Sequence, residues 1–272
     1  MFQTLRPYWA YAKASFTVGF AYRLHILFWV LSDMVQVAVL LLIWVAIYGN
    51  SSSATMQGYT LSQMMMYNLI IYMTASFTYM KPLFDLADDH FDGKIAMSLI
   101  KPTKYLYEVF FRNLGNNFVG NIIISVPLIA VLTVVSVTMT TQVNFTLGTT
   151  LLYVFSILLA LIISFFSNFI FATMVFLTDA TFGMMQLNEA IVRIFSGSLI
   201  PLSFFPAWLK TIAYVLPYAS VYTVPTLILM NRYTGSQLWS NLLVQLAWAV
   251  GLVIACNLLW SFIITKLKVH GG

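Results

Sequence analysis

The sequence contains very little charge for its length. Only 8% of its 272 residues are Asp, Glu, Lys or Arg, whereas 61% are hydrophobic and the mean hydropathy is +0.88. A soluble domain of ordinary composition carries about a quarter of its residues as charges. So few charges leave too little polar surface to cover a soluble globule, and the sequence therefore indicates an integral membrane protein that contacts lipid.

Residues for several kinds of chemistry are also missing. The single cysteine, Cys256, lies in an apolar run, so a disulfide framework or a thiolate metal site within one chain is excluded. His25, His90 and His270 are far apart and lack metal-ligand spacing, and no metal site is expected. The sequence has no GxxxxGK[ST] loop and no GxSxG motif, which argues against a P-loop ATPase or a hydrolase. We therefore expect no enzyme activity here, and any ATP must be bound by a partner.

Six apolar stretches are long enough to cross a membrane as helices. A crossing needs about 20 residues at 1.5 Å each. The predicted spans are Ile26 to Tyr48, Tyr59 to Met80, Phe118 to Thr138, Leu151 to Leu177, Phe182 to Ile200 and Leu238 to Thr265. This pattern predicts an all-α fold in which residues 26–272 form a six-helix transmembrane domain.

The basic residues predict the orientation of these spans. Those expected on the inner side are Arg6, Lys13, Arg23, Lys81, Lys94, Lys101, Lys104, Arg112, Lys266 and Lys268. Only Lys210 and Arg232 fall on the outer side, and Arg193 lies within the fifth span. Because basic residues concentrate in cytoplasmic segments, we expect a multi-pass protein of a bacterial cytoplasmic membrane with both termini in the cytoplasm. The basic residues form no single cluster with interleaved aromatics, so no nucleic-acid partner is expected.

Residues 1–25 have the pattern of an amphipathic helix on the inner membrane face. Apolar residues recur there every three to four positions and are interrupted by basic ones, as interfacial helices require. The apolar positions are Leu5, Trp9, Ala12, Phe16 and Phe20. A frayed cytoplasmic tail is the alternative.

Polar side chains interrupt several predicted spans. Asp33 lies in the first span and Asn68 in the second, while Glu189 and Arg193 are four apart in the fifth and can pair. A charge in the bilayer costs several kcal/mol unless it is paired or wet, so these residues are functional candidates. A structural ion pair, an amide bridge between helices and a carboxylate satisfied by a neighbouring helix are the alternatives.

Proline interrupts the apolar segment 197–225. It prevents one continuous helix, and the segment is predicted to form two re-entrant helices that dip into the outer leaflet. The candidate residues of an outer gate are Gly197, Pro201, Pro206 and Pro217. An interfacial belt of Trp and Tyr is the alternative, and the two can coexist.

Two motifs resemble those of a known transporter family. Gly93, Ile95, Leu99 and Pro102 match the pattern G-x-I/L-x-x-x-L-x-x-P between the second and third spans. A second stretch, SGSLIPLSFFPAWL, begins at residue 196. Together with the order of the spans, these motifs resemble an ABC-2 type transporter permease over the whole chain.

The resemblance implies that residues 81–112 contain a cytoplasmic coupling helix that meets a separate ABC ATPase subunit. ATP and Mg would bind to that partner, and a second permease chain, the same or homologous, would complete the pathway. The expected coupling residues are Phe91, Asp92, Gly93, Lys94, Ile95, Leu99, Lys101 and Pro102. Of these, Phe91, Ile95 and Leu99 are four apart and are expected to share one apolar face.

The function implied is the export of an amphipathic or hydrophobic substrate such as a drug, a peptide or a lipid-like molecule. Three alternatives remain open. The first is a stand-alone ion-coupled transporter or channel that uses Asp33, Glu189 and Arg193. The second is a membrane assembly or insertion factor, and the third treats residues 81–112 as a solvated loop without a partner.

Overall fold

The computed structural model describes residues 2–21, 23–138, 145–176 and 181–266, and in those ranges the chain is helical and contains no β-strand. The α-helices are α1 (Phe2–Ala21), α2 (Arg23–Gly49), α3 (Leu61–Thr78), α4 (Pro82–Phe91), α5 (Lys94–Ile100), α6 (Tyr105–Thr138), α7 (Leu147–Ala172), α8 (Thr181–Phe195), α9 (Ala207–Val215), α10 (Thr223–Leu229) and α11 (Gly235–Lys266). Short 3₁₀ helices cover Thr173–Phe176, Leu202–Phe204 and Pro217–Ser220.

Three helices are long and apolar enough to cross a membrane, as judged over the described ranges. They cover Val30–Gly49, Leu147–Phe176 and Gly235–Thr265. A fourth crossing is possible if Ala207–Val215 and Pro217–Leu229, which meet at 72°, count as one broken span. The chain is therefore a multi-pass helical membrane protein.

Two predicted spans differ from the helices that contain them. The third was expected to begin at Phe118, but α6 begins at Tyr105 and so extends about 20 Å before the apolar stretch. The fifth was expected to cover Phe182 to Ile200, but α8 ends at Phe195 and is only 15 residues long. At about 22 Å it is shorter than the hydrocarbon core of a typical bilayer, which is about 30 Å.

The centre of the fold is formed by α3, α7 and α10. Met64, Met66, Leu69 and Ile70 of α3 are fully buried, and every residue of α10 is buried. The start of α3 is fixed by a capping box, in which Thr60 and Gln63 satisfy each other's backbone N–H. In contrast, no residue of α8 is fully buried, so this helix lies at the edge of the bundle.

Helix α1 packs closely along the first part of α6. A Cβ added at Gly115 would lie 2.1 Å from the carbonyl oxygen of Ala12, so only glycine permits this approach. Tyr8 stacks on Phe111 at 5.7 Å between ring centroids. Of the predicted apolar face of this helix, Trp9 is 58% exposed, and its ring also meets Phe111 edge-on at 5.5 Å.

The four other residues of that predicted face have different outcomes. Ala12 is buried and Phe16 is half-buried beside Phe118. The side chains of Leu5 and Phe20 lie outside the described residues.

Candidate functional site

The corner between α3 and α4 is held by three asparagine side chains. Asn113 of α6 accepts a hydrogen bond from the backbone N–H of Lys81 at 3.1 Å, and Asn117 donates to the carbonyl of Tyr79. From α7, Asn168 donates to the carbonyl of Met80 at 3.1 Å. The chain therefore leaves α3 at a fixed angle, and its freed backbone groups are paired as buried polar groups must be.

Arg112 of α6 binds two carboxylates of α4. Its Nη2 donates to Oδ2 of Asp89 at 2.6 Å, and its Nε lies 3.2 Å from Oδ1 of Asp85 in a charge contact without hydrogen-bond geometry. Asp89 also accepts a hydrogen bond from the hydroxyl of Tyr105 at 2.8 Å, and Asp85 accepts one from Asn113 at 2.5 Å. We call Asp85, Asp89, Tyr105, Arg112 and Asn113 the Arg112 cluster.

Burial and neighbouring charges act in opposite directions on the pKa values within the Arg112 cluster. Burial opposes the charge of Arg112, but Asp85 and Asp89 outweigh that effect and raise the pKa of its guanidinium. Burial raises the pKa of Asp85 above its usual range, although Arg112 and Asn113 act in the opposite direction. Burial and the Asp89 carboxylate also raise the pKa of Tyr105, so that its hydroxyl remains a donor.

A glycine turn separates α4 from α5. Helix α4 ends at Phe91, Asp92 caps it, and Gly93 takes the left-handed conformation with φ of +69° before α5 begins. Glycine adopts this conformation at little cost, and it commonly follows a helix end. The Lys94 ammonium lies 2.6 Å from Asp92 across the turn, with both side chains exposed.

The turn changes which residues are exposed. Phe91 is 59% exposed but Ile95 is only 5% exposed, so the expectation that Phe91, Ile95 and Leu99 share one apolar face is wrong. A continuous helix is needed for that spacing to define a face, and Gly93 breaks it; the side chain of Leu99 lies outside the described residues. The apolar side chains of α4 and α5 that are described and more than half exposed are instead Phe91, Met97 and Ile100, the last two at 70% and 86%. We call these three the exposed apolar face of α4–α5.

The chain after α5 is tied to α6 and α1. The Lys101 ammonium lies 3.8 Å from Oε2 of Glu108, whose other carboxylate oxygen accepts a hydrogen bond from Thr103. The backbone N–H of Lys104 donates to the hydroxyl of Tyr8 at 2.9 Å. Pro102 is exposed between these contacts. Residues 82–104 therefore rest on α6 at both ends and leave the exposed apolar face open.

The polar residues of the predicted spans divide into two groups. Glu189 and Arg193 form the expected ion pair at 2.5 Å, and Tyr72 lies within electrostatic range of both Arg193 and Asp33. Asp33 is half-buried on α2. Asn68 is buried inside the core instead and donates to the carbonyl of Met64 in its own helix at 2.7 Å.

The proline-rich segment is broken where its prolines lie. Pro201 precedes a 3₁₀ turn, Pro206 precedes α9, and Pro217 begins the 3₁₀ turn after α9. This confirms that the segment is not one continuous helix. Gly197 has φ of +79°, and its carbonyl accepts a hydrogen bond from the hydroxyl of Tyr67 at 2.8 Å. The segment therefore starts from a turn buried against the core.

No group of three or more His, Cys, Asp or Glu side chains could hold a metal ion within the described ranges.

A match to a known protein family covers the Arg112 cluster and most of the helices described above. The family described as ABC-2 family transporter protein matches residues 34–271, which is most of the chain. The chain belongs to this family. As an ABC-2 protein it is a permease of an ABC transporter, which in this family is typically a non-enzymatic membrane subunit that works with an ABC ATPase. A search of the curated proteins found no match.

Sequence reasoning missed the Arg112 cluster of this ABC-2 permease. Arg112 was interpreted only as an orientation signal. One signal was available: Asp85 and Asp89 are four apart, which places both carboxylates on one face of a helix and calls for a common cation.

Proposed function

We propose that this permease is the membrane half of an ABC exporter that moves an amphipathic or hydrophobic molecule out across a bacterial cytoplasmic membrane. A separate ATPase subunit binds ATP and Mg and drives the movement. The single observation that carries the proposal is the exposed apolar face of α4–α5, in a segment that contacts α6 at both ends. The chain that presents this face belongs to the ABC-2 family.

The exposed apolar face has the properties of a docking site for a soluble subunit. Three large apolar side chains lie within ten residues, and charged Asp92 and Lys94 lie beside them. Apolar side chains surrounded by polar ones are typical of the centre and rim of a protein interface. Gly93 separates the two helices that carry these side chains.

The proposed topology has six spans, α2, α3, α6, α7, α8 and α11, with both termini in the cytoplasm. Residues 26–272 form this domain, residues 1–25 lie along its inner side, and residues 81–112 meet the ATPase. The basic residues between α3 and α6 support that side as the inner one. The segment 197–225 forms the re-entrant outer gate, and its bend of 72° supports a broken rather than a spanning helix.

We further propose that a second permease chain covers α8. None of the residues of α8 is fully buried, and it carries the ion pair of Glu189 and Arg193. Charges facing lipid are costly, so a face with this pair and nearby Asp33 is better placed on a protein partner or a water-filled path.

The test measures whether the ATPase subunit binds to this face and hydrolyses ATP when bound. The tagged permease is purified from its native membrane together with its ATPase, and Mg-ATP hydrolysis is measured in lipid vesicles. We expect Met97→Asp and Ile100→Asp to lose the ATPase subunit and the hydrolysis while the permease still inserts and folds. Leu147→Asp is the matched control, since Leu147 is 78% exposed at the start of α7, and it should retain both.

Two results would overturn the proposal. Retention of the ATPase by the Met97 and Ile100 variants would show that this face is not the docking site. Transport driven by an ion gradient without any ATPase, and abolished by Asp33→Asn, would favour the ion-coupled transporter instead.

A further inference from the structure

We propose that the Arg112 cluster is the joint that makes the α4–α5 segment move as one body with α6, so that a push on the exposed apolar face tilts α6. Arg112, Asp85 and Asp89 are positioning residues in this proposal, which rests on the proposed function and adds the route by which the motion enters the membrane helices.

The geometry of the cluster resists rotation as well as separation. Asp85 and Asp89 are one turn apart on α4, and both reach the same guanidinium on α6. A single contact would act as a pivot about which α4 could twist. The two carboxylates come from positions about 6 Å apart along the axis of α4 and hold two different nitrogens of one planar guanidinium, which opposes that twist.

Helix α4 also packs on α7 and on the 3₁₀ turn after it, where the His90 ring meets Phe176 edge-on at 4.9 Å. The charged contacts to Arg112 differ from this apolar packing, because they are strongly directional and tie the orientation of α4 to that of α6.

Stability alone does not account for the cluster. Two carboxylates share one guanidinium, and their side chains are only 23% and 9% exposed. Taking such charges out of water costs about as much as their attraction returns, and apolar residues of similar volume are often equally stable. The surplus carboxylate is instead accommodated by Tyr105 and Asn113, which direct both acids toward Arg112.

Helix α6 is suited to carry the motion onward. It runs as one helix, with Pro127 inside it, from Tyr105, beside the cluster, to Thr138, which is about 50 Å. A force applied at Ile100 reaches α6 through the cluster, which ties α4 to that helix, and through the contacts of Lys101 and Thr103 with Glu108.

The experiment measures movement of the outer half of α6 in the complex with the ATPase. Spin labels are placed at Ile129→Cys on α6 and Leu243→Cys on α11, which are 46% and 64% exposed. The background carries Cys256→Ala, because Cys256 is the only natural cysteine. Distances between the labels are recorded without nucleotide and after trapping with Mg-ATP and vanadate. We expect a shift on the order of 2–5 Å in the otherwise natural chain.

The decisive variant is neutral: Asp85→Asn, Asp89→Asn and Arg112→Gln together leave no unpaired charge. We expect it to keep the nucleotide-free label distance, the bound ATPase and nucleotide trapping, but to lose most of the shift. The double variant Asp89→Arg with Arg112→Asp exchanges the two charges and should recover part of the shift. Asp89→Arg alone and Arg112→Asp alone should not recover it. A role in folding alone would change the nucleotide-free distance or the yield of the complex instead.

An unchanged shift in the neutral variant would overturn the inference, as would a swap that behaves like the single reversals. Failure of the otherwise natural chain to bind an ATPase or to trap nucleotide would overturn the proposed function, and this inference with it.

Discussion

Replacement of Gly197 by alanine should destabilise the permease more than any other glycine substitution at a described turn. The residue has φ of +79°, and an added Cβ would lie 2.3 Å from Oγ1 of Thr223 and 3.0 Å from the Tyr67 hydroxyl. The left-handed backbone costs alanine about 1–2 kcal/mol. Forcing an extra methyl group into a closed core costs about 1–3 kcal/mol more.

The expected loss for Gly197→Ala is therefore about 2–5 kcal/mol of unfolding free energy. Unfolding of the purified protein by SDS in mixed micelles measures it. Gly235→Ala is the control, since Gly235 has φ of +53° and no atom near its Cβ position. It should lose only the backbone contribution of about 1–2 kcal/mol.

A second variant separates the clash from the backbone strain. Thr223→Ala removes the nearest atom, although it also removes the hydrogen bond of Thr223 to the carbonyl of Ser196. Gly197→Ala combined with Thr223→Ala should therefore be more stable than the sum of the two single losses predicts, by about 0.5–3 kcal/mol. Equal losses for the Gly197 and Gly235 variants would refute the reasoning.

Three further predictions use the same SDS titration. Arg232→Lys should lower the unfolding free energy by about 1–2 kcal/mol, because the guanidinium lies 3.8 Å from the centre of the Tyr59 ring and lysine cannot stack there. No loss would mean that the ring contact adds nothing to stability. Gln245→Leu should lower the unfolding free energy by about 1–3 kcal/mol, since this buried amide joins α11 to Ser156 and Ser220. A more stable variant would contradict this prediction. Glu189→Gln should cost about 2–3 kcal/mol, because the second chain proposed to cover α8 would leave Arg193 unpaired away from water. A loss near 0.5 kcal/mol would place the pair on a water-filled path instead.

Local features of the fold were predictable from the sequence. Glu189 and Arg193 were predicted to pair because residues four apart on a helix face each other, and the ion pair confirms it. The breaks at Pro201, Pro206 and Pro217 were predictable because proline cannot continue a helix. In both cases the physical cause lies within one turn of the residue concerned.

Helix ends were harder to predict because hydropathy marks only the part of a helix that suits lipid. Helix α6 begins at Tyr105, before its apolar part, since its first turns carry Glu108 and Arg112 for contacts with neighbouring segments. Helix α8 stops at Phe195 because Gly197 turns the chain, although the apolar composition continues. The Asp-Gly dipeptide at 92–93 was an available sign of a turn.

The Arg112 cluster could not be placed from the sequence, because its residues come from separate helices. Arg112 is 23 residues from Asp89 and binds it only when α4 folds back along α6. That return depends on the corner at Tyr79 to Lys81, which is held by asparagines from α6 and α7. No periodicity within one helix encodes such a contact.

The close contact of α1 with α6 has a consequence for synthesis of the protein. Ala12 leaves the ribosome about 100 residues before Gly115, the residue it must touch, and at usual rates of translation this takes roughly 5–20 s. During that interval Tyr8 and Phe16 have no ring partners from α6. Helix α1 can therefore pack on α6 only late in biogenesis, after α2 and α3 have already been made.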